Sequence, residues 1–171
     1  MQILKKFNFS SISLFNRSFL FNQGRIYKRN MSVSTITESL KELGLSQPES
    51  LEGTLPEYNA IDVFRNYIAD ELHRITQVDK SIVIKALDSS KVLEQGDIIV
   101  PIPKLRIKGI NPNEKAKEWA ESFNKGQFIS NVNPQGVVLQ FHFEKSVLYR
   151  LVIEDILKRK SDYGYLPLGL W

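Results

Sequence analysis

Apolar side chains recur at three- and four-residue steps between Asn59 and Ile75: Phe64, Tyr67, Ile68, Leu72 and Ile75. That spacing lines one face of an α-helix and predicts a helix over 59–75. Val147, Leu148, Leu151, Val152 and Ile156 form a second stripe and predict a buried face on a helix over 145–160. A third stripe, Ala116, Trp119, Ala120 and Phe123, follows Asn111-Pro112, where Asn can cap a helix and Pro suits its first position. Near the start, Ile36, Leu40 and Leu43 share a face over 35–43. Thr35 and Glu38 have capping-box spacing there, and Gly44 is placed to end the helix. The intervening "SQPESLEGTLPEY" is a linker by its Pro, Ser, Gly and charge content. "SIVIKAL" suits a short strand or a helical turn equally.

Elsewhere the period is two. After the turn signal Gly96-Asp97, Ile98 to Val100 and Leu105 to Ile107 read as strand, with Pro101 and Pro103 confined to an edge or a bend because proline cannot donate to a ladder. In "KLRIK", Leu105 and Ile107 face one way and Lys104, Arg106 and Lys108 the other. "FISNVNPQGVVLQFHF" reads as a hairpin, with Pro134 and Gly136 placed for a type I turn after Asn133. In its second strand Val137, Leu139, Phe141 and Phe143 point inward, and Val138, Gln140 and His142 point outward. The fold class expected is α+β: a small, mainly antiparallel sheet flanked by helices.

Charge divides the chain. The formal net charge is +4 over 171 residues, yet residues 1–30 hold six basic residues and no acid. Residues 31–171 therefore carry 17 basic and 19 acidic residues, a charge of −2. The first segment, basic, rich in Ser and Phe and free of acid, has the composition of a mitochondrial transit peptide. Met31 opens a second reading, in which translation from Met1 gives a mitochondrial form and translation from Met31 a cytoplasmic one. No run approaches 18 apolar residues, so no membrane span is expected.

Reactive chemistry is sparse. With no cysteine, disulfides, thiolate nucleophiles and cysteine zinc sites are excluded. His73 sits among polar residues and His142 on an outer strand face, and both read as solvated. No carboxylate cluster has metal-ligand spacing, and no phosphate-binding glycine motif is present. A catalytic role for Asp97 has no partner in the sequence. The Lys104, Arg106 and Lys108 row has two readings. Lysines protect an edge strand from pairing, and a row of cations holds phosphates.

The run from Ala60 to Phe123, "AIDVFRNYIADELHRITQVDKSIVIKALDSSKVLEQGDIIVPIPKLRIKGINPNEKAKEWAESF", resembles the amino-terminal additional domain of fungal arginyl-tRNA synthetases. So does "FISNVNPQGVVLQFHFEKSVLYRLVIEDILKRKSDYG". The likeness runs over about 34–164. Its most specific parts are Gly96-Asp97, "PIPKLRIKG", the Asn-Pro helix start with Trp119-Ala120, and "DILKRKSDYG". The resemblance implies a domain that grips the elbow of tRNA(Arg) and reads bases of the dihydrouridine loop. The family's reading pattern resembles Asn-Gly-Pro-Phe-Ile-Gln, and here it falls on Gln135 to Gln140. Gln140 matches outright, Gln135 stands in place of Asn, and Val138 replaces the aromatic. The resemblance thus implies base reading by Gln140, Gln135 and Val138. With tRNA as the partner, the phosphate reading of the Lys104, Arg106 and Lys108 row is the one expected.

The family's Ser-Pro-Asn and His-x-Gly-His segments, which belong to its catalytic domain, have no counterpart here, and the chain departs from the family at Tyr165. The organisation expected is a transit peptide over 1–30, a short helix and linker over 31–58, the synthetase amino-terminal domain over 59–164, and a divergent tail over 165–171. No catalytic residue, metal or cofactor is expected within it. ATP and arginine would bind the missing catalytic domain, and the chain alone would be inactive. The partner expected is tRNA(Arg), with neither DNA nor membrane, on a monomer. The alternative is a protein-interaction module that assembles a synthetase with its partners.

Overall fold

A computed structural model describes residues 34–164. The readings made for residues 1–30, Met31 and 165–171 lie outside the described residues. Five helices and four strands follow in the order α1 (Thr35–Glu42), α2 (Ala60–Thr76), α3 (Lys80–Ala86), β1 (Asp88–Ser89), β2 (Ile98–Pro101), α4 (Pro112–Ser122), β3 (Ile129–Gln135), β4 (Val138–Phe143) and α5 (Lys145–Arg159). Short 3₁₀ turns lie between, at Leu93–Gln95 and Ile102–Leu105, and a third follows at Lys160–Asp162. The fold is α+β, as the two periodicities predict. "SIVIKAL" settles as helix α3, capped by Asp79, whose carboxylate accepts from the Ser81 amide at 2.8 Å.

The strands form one open antiparallel sheet in the order β1-β2-β4-β3. Ile98 and Val100 of β2 and Leu139, Phe141 and Phe143 of β4 lie on the core face, and all five are buried. A register shift between Ile129 and Asn131 lets Ile129 and Val132, three residues apart, both face inward. Helix α2 crosses this face: the Phe64 ring lies 4.5 Å from Phe143 and 5.6 Å from Phe128. Helix α4 adds Phe123, 5.1 Å from Phe141. Ile36 and Leu40 of α1 join the same core against α5. Asp155 of α5 is buried there, accepting from the Thr35 hydroxyl and from Arg159 at 3.2 Å. The Arg159 guanidinium in turn lies 5.7 Å from the Tyr58 ring.

Five expectations change. Residues 105–107 are not a strand. Pro101 and Pro103 stop the ladder, Ile102–Leu105 turns as a 3₁₀ helix, and Arg106 takes a left-handed φ of 58°. Leu105 still reaches the core. The hairpin turn is tighter than expected. Gln135 pairs with Val138, so only Gly136 and Val137 form the loop. Gly136 has φ +58° while Val137 keeps a negative φ, the II′ sense that matches strand twist. Val137 is therefore in the turn and exposed, not in the core. Thr35 gives its hydroxyl to Asp155, and the cap of α1 is Ser34, whose Oγ accepts from Thr37 at 3.4 Å. Ile156 is exposed on the outer face of α5, together with Tyr149, Ile153 and Leu157.

Candidate nucleic-acid interface

The outer face of the sheet carries the polar side chains of β3 and β4. On β3, Asn131, Asn133 and Gln135 are exposed at alternate positions. On β4, Val138 and His142 are half-buried, and Gln140 is buried at 3% exposure. Gln140 does point to the outer face, as the alternation predicts, but its neighbours enclose it. It stands opposite Asn133 on one side and Ile99 on the other. Asn133 Nδ2 donates to Gln140 Oε1 at 3.1 Å, and Gln140 Nε2 donates to Gln135 Oε1. A chain of three amides results. Gln135, Val138 and Gln140 are thus brought together at the turn end of the hairpin.

The basic residues arrive at the same end by another route. Val138 pairs with Pro101, the last residue of β2. Directly after it, the Ile102 amide donates to the Val137 carbonyl at 2.9 Å, which ties the 3₁₀ turn to the hairpin loop. Lys104 lies on that turn. Arg106 and Lys108 follow in the loop to Asn111, whose side chain caps α4 by accepting from the Asn113 amide at 3.2 Å. A Cβ added at Gly136 would lie 3.8 Å from Asn113 Oδ1. The start of α4, where the loop ends, thus also lies beside the hairpin tip.

All three cations are exposed but not equivalent, and they do not form one row on a strand. Lys104 pairs with Asp88 of β1, while Arg106 and Lys108 have no ion pair among the described residues.

Asp97 serves the fold. The Asp97 amide donates to the Phe141 carbonyl at 2.8 Å, and its carboxylate accepts from the Phe143 amide at 2.8 Å and pairs with Lys145 at 2.5 Å. It fastens the end of β4. His73 is half-buried rather than solvated, with Nδ1 2.7 Å from the Val78 carbonyl. His142 is also half-buried. Among the described residues no group of His, Asp and Glu could hold a metal ion, and no helix is long and apolar enough to cross a membrane. Asn131, Asn133 and Asn113 escape the sequence reading. The period-two alternation in "SNVNPQ" holds the signal for the first two, once β3 is known to be an edge strand.

The molecule is thus an α+β domain whose open antiparallel sheet carries helices on one face, exposed amides on the other and a basic loop near its end. No protein-family model matches the chain. It is 43% identical over 137 residues to the cytoplasmic arginine–tRNA ligase of Saccharomyces cerevisiae, a match covering 80% of this chain and 23% of that protein. To the probable cytoplasmic arginine–tRNA ligase of Schizosaccharomyces pombe it is 36% identical over 133 residues, covering 78% and 21%. The mitochondrial arginine–tRNA ligase of Saccharomyces cerevisiae is 30% identical over 137 residues, covering 80% and 20%. The chain is homologous to a segment of the arginine–tRNA ligases and spans about a fifth of the length of these relatives.

Proposed function

We propose that residues 34–164 are a tRNA-binding module of an arginine–tRNA ligase, which grips tRNA(Arg) at its elbow and reads bases of the dihydrouridine loop in support of aminoacylation. One observation carries this reading. Two features separated in sequence, the outer-face residues Gln135, Val138 and Gln140 and the loop that bears Arg106 and Lys108, are linked at the turn end of one hairpin by the Ile102 amide on the Val137 carbonyl. Loop bases offer edges to amides, and the adjoining backbone offers phosphates to cations. The relatives' names supply the RNA. ATP and arginine belong to the catalytic body of such a ligase, and arginine-dependent ATP–pyrophosphate exchange is not expected of this segment. The test is a titration of the purified chain with tRNA(Arg) at several salt concentrations. Binding should weaken linearly in log K against log salt. Absence of binding at low salt sinks the reading.

The second reading, a protein-interaction module, has its own support. Tyr149, Ile153, Ile156 and Leu157 expose an apolar face on α5 that the described core does not use. If the tRNA titration fails, this face is where a protein partner docks.

The relatives include both cytoplasmic and mitochondrial ligases. We propose two products, a mitochondrial one from Met1 and a cytoplasmic one from Met31. A reporter fused to residues 1–30 should enter mitochondria, and changing Lys5, Lys6 and Arg17 to Glu should keep it in the cytosol.

A further inference from the structure

Helix α5 meets the core through Val147 and Leu151, which are buried. Its other side is apolar as well. Tyr149, Ile153, Ile156 and Leu157 are 58%, 54%, 40% and 65% exposed. Together they leave on the order of 450 Å² of apolar surface bare on one helix, comparable with the largest patch of a typical monomer and of the kind that marks an interaction site.

The spacing of this patch points to its occupant. From Ser146 through Tyr149, Ile153 and Ile156 to Lys160 the steps are three, four, three and four residues. That is the 3.5-residue repeat by which helices pack along one another. A second copy of α5, run antiparallel, supplies the matching surface. Turned about a two-fold axis between Glu154 and Asp155, the pair sets Ile153 against the partner's Ile156, and Tyr149 against the partner's Lys160, each contact occurring twice. Lys160 is exposed and has no ion pair among the described residues, so its ammonium is free to sit over the facing Tyr149 ring. Leu157, at the border of the seam, covers the methylene stem of the partner's Arg150. That guanidinium stays with its own Glu154, to which Nε donates at 2.8 Å. Parallel pairing would instead set the two Lys160 ammoniums against each other.

We propose that the outer face of α5 is a self-association surface, on which two copies of this chain pair antiparallel as a two-fold dimer. The pairing does not depend on RNA binding. Helix α5 starts at the end of β4 away from the hairpin turn, so the pairing surface and the proposed RNA-binding end are distinct. Two such faces bury on the order of 900 Å² in total, below the standard interface size, which makes the dimer weak, with dissociation in the range of about tens of micromolar.

The experiment is sedimentation equilibrium of the full chain between roughly 1 and 500 μM, since mass action makes such a dimer concentration-dependent. The average mass should rise from 19.7 kDa toward twice that value. Ile153→Lys puts a charge into the seam without touching the core. It should keep the single-chain mass throughout and melt like the parent in dilute solution. The chain has no cysteine, so engineered thiols report the orientation. Under mild oxidation Tyr149→Cys and Lys160→Cys should each stay single alone and cross-link to each other when mixed. In the antiparallel pair position 149 lies roughly 16 Å along the axis from its own copy, too far for a disulfide. The thiol pattern decides independently of the lysine variant. A parent that keeps the single-chain mass at every concentration overturns the proposal and leaves a different protein as the occupant of this face. An Ile153→Lys chain that still doubles its mass overturns it too, as does a Tyr149→Cys chain that cross-links with itself.

Discussion

Gly96 illustrates how much rests on one absent methyl group. Its φ is +86°, and a Cβ there would sit 2.7 Å from the Phe141 carbonyl oxygen and 3.2 Å from its carbon. The strand cannot step aside, because the Asp97 amide and carboxylate hold Phe141 and Phe143 from the same turn. Gly109 has a similar φ of +74° but nothing within 4 Å of its would-be Cβ. The pair separates backbone strain from collision. Gly109→Ala should cost about 1 kcal/mol, the strain alone. Gly96→Ala should cost on the order of 3 kcal/mol, strain plus displacement of β4. Urea midpoints at unchanged slope measure both, and equal losses at the two sites would refute the collision. Gly96-Asp97 was legible in the sequence as a turn. The task of the Asp97 carboxylate was not, because its partners lie more than forty residues along the chain in β4 and α5.

Helix α5 shows what a hydrophobic period can and cannot decide. The spacing predicts the helix and places Val147, Leu148, Leu151 and Val152 toward the core correctly, but with apolar residues on its other side too it wrongly adds Ile156. Leu151 is fully buried, while Ile156 is 40% exposed. Leu151→Ala should cost about 2–5 kcal/mol. Ile156→Lys should change stability by no more than about 0.5 kcal/mol. Matched thermal or urea denaturation of the two variants decides the facing. The basic strand failed for another reason. Alternation in "KLRIK" survives in Leu105 reaching the core, but two prolines removed the ladder that would have made it a strand. Helix caps carry a pH signature of their own. Glu144 caps α5 by accepting from the Ser146 hydroxyl at 2.7 Å and the Ser146 amide at 3.2 Å. The Ser146 side chain first, then its backbone, holds the Glu144 carboxyl below the usual range, and Ser81 does the same to Asp79 at the start of α3. A depressed folded pKa means that the unfolded chain binds more protons. The contribution is therefore complete above the unfolded value of about 4 and lost as pH falls through the lower folded value. Glu144→Gln should flatten the decline of stability with acid over that window. An unchanged acid profile in denaturant titrations from pH 6 to pH 2 would remove the cap from the account.

At the scale of the whole molecule, charge placement matters more than charge total. Residues 31–171 carry a net −2, yet much of their acid is engaged internally, in pairs such as Lys80 with Glu49 and Asp70, and Arg150 with Glu154. The residue types of the proposed interface were legible in the sequence: amides on an alternating strand and cations near a turn. Their meeting at one hairpin end was not, since it depends on the Ile102 to Val137 hydrogen bond and on a loop anchored by α4. Nor was the difference among the three cations. Lys104 is matched by Asp88 across β1, whereas Arg106 and Lys108 face solvent without an ion pair among the described residues. Neutralising a phosphate releases counterions only to the extent that the cation is free to do it, so the three should not weigh alike. Arg106→Ala and Lys108→Ala should each reduce the slope of log K against log salt by roughly 0.7–0.9 for tRNA binding. Lys104→Ala should reduce it less, because the exposed pair with Asp88 must first open, at a cost of about 0–1 kcal/mol. Asp88→Ala should then tighten tRNA binding and steepen the slope by releasing Lys104. All four effects should be the same for every tRNA tested, since phosphates carry no sequence. If Lys104→Ala matters most, or if Asp88→Ala leaves both affinity and slope unchanged, the phosphates do not run along this loop.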